Sequence, residues 1–248
     1  MASVIDVYNG VKNLINKEQK GFVTSKVFNS FAQSAQTNIF NSILEDQIKA
    51  KQIAKQGVDV GDVLSIKNRK KEDINWFVRE KQLLLDEDNK ANKPNYATKV
   101  ISVYDTDTVD DVGGTDNLPY FELFDDPHKI KDVLNSHLSA PSTGYGIAYV
   151  SSDSIKIYGS EATSINVVYY TPVLSKKITD QTISDSSPVI TFTEDGNEII
   201  INPDQCYDFI LPDSYVSELI YEVARMIGVR LRDQDIVAYT QQKVTSDA

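Results

Sequence analysis

The chain has 248 residues, 41% of them hydrophobic, which is enough to bury a sizeable core and too apolar for a disordered chain. Its formal net charge of −11 argues against a protein that grips nucleic acid over most of its surface. No run approaches the ~20 apolar residues of a membrane-spanning helix, and a single cysteine, Cys206, rules out an intrachain disulfide.

The charge is unevenly spread. Residues 1–84 carry 13 Lys/Arg against 9 Asp/Glu, and the remainder carries 12 against 27, so two electrostatically different regions are expected. The opening MASVIDVYNG has no basic leader and no continuous apolar run, and it is not expected to be a signal peptide. Ser3 and Asp6 instead make an S-x-x-D helix start. Val4, Val7, Tyr8, Val11, Leu14 and Ile15 then fall on one helical face, with Lys17 and Lys20 suiting the end and Gly21 the stop. Thr24 is the next N-cap. An apolar stripe from Val27 through Phe28, Ala32, Ile39, Phe40 and Ile43 predicts a helix to about Lys55, roughly 45 Å long. These two helices are expected to form an antiparallel hairpin.

Residues 57–68 read as a loop. Lys67, Arg69, Lys70 and Lys71 are the only tight basic cluster, read as a solvated helix entrance in preference to a phosphate contact. A third helix is expected over about 71–83, carrying Ile74, Phe77 and the only tryptophan, Trp76. Residues 86–96 are polar and read as a loop or a domain boundary. Tyr96–Tyr104 is strand-like. Asp105, Asp107, Asp110, Asp111 and Asp116 follow, but Val109 and Asp110 stand where an EF-hand loop needs an acid and a glycine, so an acidic loop is preferred to a calcium site.

Tyr120–Phe124 reads as a short strand, and Asp126-Pro127 opens a helix that continues to about Ser139. Three alternating runs come next: Tyr145, Ile147, Tyr149; then Ile155, Ile157; then Ile165, Val167, Tyr169. Joined by short polar turns, they predict a β-meander with one wet face. Residues 189–202 predict a hairpin with Asp195-Gly196 at its tip, and 209–211 a last strand. Pro212, Asp213 and Ser214 start a C-terminal helix through Val216, Leu219, Ile220, Val223 and Ile227. Gly228 is expected to break it, with a short final helix from Asp233.

The expected fold class is therefore α+β. A helical bundle forms from the N-terminal hairpin and the C-terminal helix around a central antiparallel, meander- or sandwich-like β-rich domain. The expected boundaries are 1–85, 86–211 and 212–248. No catalytic, cofactor-binding or metal-binding residue is nominated. There is no G-x-x-x-x-G-K, G-x-G-x-x-G, H-E-x-x-H or G-x-S-x-G, and His128 and His137 lack partners for zinc. Cys206 reads as a small hydrophobe beside a strand. The sequence thus argues for a structural or binding role over an enzyme.

Three stretches in order carry a resemblance. NKEQKGFVT (16–24) leads into Phe28-Asn29 and Ile39-Phe40. LNSHLSAP is followed by a Tyr-led strand, IKIYGS and INVVYYTP. DFILPDSYVSELIYEVARMIGVRLRDQDIVAY ends the chain. Together they resemble the head-to-tail connector, adaptor or ring, proteins of short-tailed bacteriophages, including crAss-like phages. Gly159 departs from the pattern, since the family often has Pro there. The resemblance implies a non-enzymatic virion protein assembled in the host cytoplasm. It implies a homo-oligomeric ring, expected to hold twelve copies, in the neck between portal and tail. The partners it implies are the portal and neighbouring rings. DNA would cross the lumen at ejection without sequence-specific binding, with no membrane contact and no cofactor. Acidic surface lining the lumen would let like-charged DNA slide. The other readings are a carbohydrate-binding or accessory tail module, with Tyr145, Tyr149, Tyr169 and Tyr170 stacking on sugars, and a hydrolase.

Overall fold

The S-x-x-D start does open a helix, α1 (Val4–Lys17). The computed structural model describes residues 1–17, 23–55, 72–106, 120–136, 138–142, 145–195 and 198–230. The Ser3 hydroxyl accepts from the Ile5 N–H at 3.3 Å, and the Val4 N–H is capped at 2.8 Å by Asp208, which lies 204 residues away. Thr24 caps α2 (Ser25–Lys55): its hydroxyl accepts from the Val27 N–H at 3.3 Å and its carbonyl from Phe28 at 3.0 Å. At the chain's other end a 3₁₀ turn over Asp213–Tyr215 leads into α4 (Val216–Arg230). This helix continues through Gly228, which is buried, so the expected break there does not occur. Burial of that face outweighs glycine's modest helix cost of about 1 kcal/mol.

The chain forms two compact units, 1–77 with 172–248, and 78–171. In the first, the helical unit, α1 and α2 both pack on α4. Val7, Val11, Phe28, Phe40, Ile43, Leu219 and Val223 are buried there. Tyr8 meets the edge of Phe28 at 5.3 Å between ring centroids and donates its hydroxyl to the Val23 carbonyl at 3.0 Å. The same unit takes in β8 (Ser175–Lys177), β9 (Ile183–Ser184), the hairpin β10 (Phe192–Asp195)–β11 (Glu198–Ile201), and β12 (Tyr207–Phe209). β12, β8 and β9 form a small sheet in that order. Residues 172–211, expected with the β-rich domain, thus belong with the helices.

The second, the β unit, is two sheets over one core. β1 (Val78–Leu84), β7 (Ser164–Tyr170) and β3 (Lys99–Asp105) make one, with β7 central. β2 (Lys90–Asn92), β6 (Ser154–Tyr158), β5 (Ile147–Val150) and β4 (Glu122–Phe124) make the other, in that order. Val103, Ile165, Val167 and Tyr169 from the first sheet and Ala91, Ala148, Ile155 and Ile157 from the second share the core. Most pairs are antiparallel. β4 and β5 run parallel, which requires a crossover, here containing α3 (Pro127–Leu134).

Three local expectations are corrected. Residues 71–83 are not one helix: a single turn over 72–75 buries Ile74 and, just after it, Phe77, and β1 then pairs with β7 along all seven residues. Sheet pairing there overrides a weak helical period. The helix at Pro127 ends at Leu134 rather than near Ser139, because the Ser136 hydroxyl accepts from the N–H groups of Leu138 and Ser139 and competes for that backbone. The three runs at 145–169 are not a meander. β5 and β6 pair, but β7 crosses to the other sheet. Gly159 sits at that crossing with φ +76°, where a Cβ would lie 2.8 Å from the Ser142 backbone nitrogen. Proline, fixed near −65°, cannot adopt this conformation.

Candidate functional surface

Two arrangements bring sequence-distant polar groups together, one in each unit. In the helical unit, Asn29, Gln33 and Gln36 fall at i, i+4 and i+7 on one face of α2. Asn29 grips residue 190 twice: its amide donates to the Ile190 carbonyl at 2.9 Å and its oxygen accepts from the Ile190 N–H at 2.9 Å. Gln33 donates to the Pro172 carbonyl at 3.0 Å. Gln36 has no exposed surface. It donates to the carbonyls of Pro172 at 2.8 Å and Leu174 at 2.7 Å and accepts from the Ile210 N–H at 3.1 Å. Both its donors and its acceptor are therefore satisfied, as burial demands. This ladder is why 172–211 folds with the helices.

Two residues beyond Gln36, Asn38 donates to Glu222 of α4 at 2.6 Å, and Arg225 Nε donates to the same carboxylate at 3.0 Å. Burial pushes the Glu222 carboxyl up, but the hydrogen bonds from Arg225 and Asn38 outweigh it and hold the group below the ordinary glutamate range. Asp208, the cap of α1, goes the other way: burial raises it, against the Val4 N–H, which lowers it.

In the β unit, tyrosines and glutamates meet on the surface. Tyr104 on β3 donates its hydroxyl to Glu80 on β1. Its ring lies 5.9 Å from that of Tyr120, tilted by 59°, and the two residues form a β-bridge. Tyr145 donates to Glu122 on β4. Burial, then the bond to Glu80, raises the Tyr104 hydroxyl, and the bond to Glu122, then burial, raises that of Tyr145, so both stay protonated donors at neutral pH. Tyr120 is 70% and Tyr145 40% exposed.

The residues weighed from sequence scatter differently. Cys206 is buried and beside β12, as expected; burial raises its thiol, and the thiol accepts from the Thr191 N–H at 3.2 Å. Of the tyrosines considered for sugar stacking, Tyr169 is in the core, Tyr149 and Tyr170 are half-buried and only Tyr145 is exposed. Asp105 is buried at the end of β3; Asp107, Asp110, Asp111 and Asp116, the basic cluster at 67–71 and His137 lie outside the described residues. Among the described residues no three His, Cys, Asp or Glu side chains group to hold a metal, and no helix is long and apolar enough to cross a membrane. Sequence reading missed the amide ladder, although its three-and-four spacing was visible, and it missed Tyr104 and Tyr120, which gave no local signal. Comparison with protein-family models and with curated proteins gives no match.

Proposed function

We propose that the chain is a non-enzymatic structural subunit of the head-to-tail connector of a short-tailed phage. Copies form a ring in the virion neck, stacked on the portal or a neighbouring ring, and DNA crosses the lumen. The observation that carries this reading is where the resembling residues lie. Thr24, Phe28, Asn29, Ile39 and Phe40 come from the N-terminal motif, and Phe209, Ile210, Leu211 and Leu219 from the C-terminal one. Most of them are buried in one unit, where Thr24 caps α2 and Asn29 grips Ile190. The N- and C-terminal motifs, far apart in sequence, thus fold into a single unit, which supports reading those two as one pattern; the middle stretch lies in the β unit. The acidic excess after residue 84 suits a passage that DNA slides through. The test is to mix the purified chain with the portal assembly of the same virion and image the product by electron microscopy. The reading expects a ring stacked on the portal. A chain that stays unbound at micromolar concentrations, and that localises in the virion away from the neck, contradicts it.

A further inference from the structure

We infer that the tyrosine–glutamate strip of the β unit binds a neutral oligosaccharide. The strip is assembled from four places in the chain: Glu80 on β1, Tyr104 on β3, Tyr120 and Glu122 beside and on β4, and Tyr145 just before β5. Tyr120 and Glu122 alternate with buried Phe121, so they share the outward side. The backbone holds them there: the Phe121 N–H bonds the Val103 carbonyl at 3.0 Å and the Glu122 N–H bonds that of Gly146 at 3.1 Å. A Cβ on Gly146 would come within 2.5 Å of the Phe121 ring, so this segment is closely seated.

The chemistry selects the ligand class. A pyranose has an apolar C–H face and a rim of hydroxyls, and it needs an aromatic platform beside hydrogen-bond acceptors. The exposed Tyr120 ring supplies the platform, with the Tyr104 ring beside it at 5.9 Å. Each carboxyl group has two oxygens with acceptor lone pairs, of which a tyrosine hydroxyl occupies one position on Glu80 and one on Glu122. Asn166 lies beside the Tyr104 hydroxyl and helps to hold it. Strand stapling alone would account for the two hydroxyl–carboxylate pairs, but it does not require the exposed Tyr120 ring. Residues 78–171 carry 8 Lys/Arg against 15 Asp/Glu, which disfavours a polyanion. An apolar protein face would strand the carboxylates without partners. This inference does not depend on the chain forming a ring.

The test uses the full chain with maltohexaose, cellohexaose and chitohexaose as neutral probes and a hyaluronan hexasaccharide as the anionic one, read by saturation-transfer NMR and calorimetry. At least one neutral probe should bind with a Kd of about 1 mM or tighter, and the anionic probe should not. Tyr120→Ala should weaken binding by about tenfold, with the fold retained and the thermal midpoint lowered by no more than about 5 °C, the cost of one exposed ring pair. Tyr120→Phe, which keeps the platform, should stay within about twofold. The inference is overturned if no neutral probe binds at about 10 mM, if the anionic probe binds as well as the neutral ones, or if Tyr120→Ala binds as the wild type does.

Discussion

Both units bury apolar cores, but they differ in what else aligns their segments. The β unit is one continuous segment, 78–171, whose two sheets close over side chains that are almost all aliphatic or aromatic. The helical unit is made from both ends of the chain, and its seams are polar: Asn29, Gln33 and Gln36 bind the backbone of 172–174, 190 and 210, Asn38 and Arg225 converge on Glu222, and Asp208 caps α1. Apolar burial is non-directional and sums over area. Amide bonds to buried backbone fix register, and leaving one unmade costs more than making it gains. A unit that must align segments well over a hundred residues apart therefore adds the second device to its apolar core, whereas the core of the continuous one is closed mainly by the first.

The largest effect should come from Gln36→Leu. It strands two carbonyls and one N–H in the interior, and we expect a loss of about 3–5 kcal/mol in urea unfolding. Hydrogen exchange should show protection falling across 25–55 and 172–230 while 78–171 keeps its own. Equal loss in both units would break the comparison. Gly159→Ala is the mirror experiment. At φ +76° and against the Ser142 backbone it should cost about 1–3 kcal/mol, with protection lost within 78–171.

Acid sensitivity sharpens the contrast further. The folded-state carboxyl of Glu222 lies below its ordinary value, so its contribution is present above the ordinary glutamate range and is lost as pH falls through the depressed value. Glu222→Gln should cost about 1–2 kcal/mol at neutral pH and flatten the acid limb of a stability–pH curve. Asp208 has the reverse sign. Its folded value is raised, so the stabilising contribution exists at low pH and is lost as pH rises through that value. Asp208→Asn keeps an acceptor for the Val4 N–H without the buried charge. It should change neutral stability by no more than about 0.5 kcal/mol, the smallest effect of the four, while removing that pH dependence.

Helix existence, the Thr24 and Ser3 caps, the hairpin at 189–202 and the strand alternation were legible in the sequence, because each depends on residues within a turn or two of one another. Strand partners were not. Ile165, Val167 and Tyr169 announce that β7 has an inward face, but nothing in that period says that β7 joins β1 and β3 instead of β6. The helical reading of 71–83 failed because Ile74 and Phe77 do share a helical spacing, and the pairing that turns Val78 onward into a strand comes from residues 164–170. The seams were illegible for the same reason. Gln36 reads as a polar interruption of an apolar stripe until the backbone it bonds, 136 to 174 residues away, is in place. The tyrosine strip needed the Tyr104–Tyr120 bridge, which no local pattern encodes.

A symmetric reconstruction of the virion neck tests the central claim most directly. The account predicts a ring of copies at the portal–tail junction into which this fold fits, with acidic surface from beyond residue 84 turned to the DNA channel. Density for the chain on a fibre or spike, or a ring whose lumen is lined by the basic residues of the first 84, would contradict it.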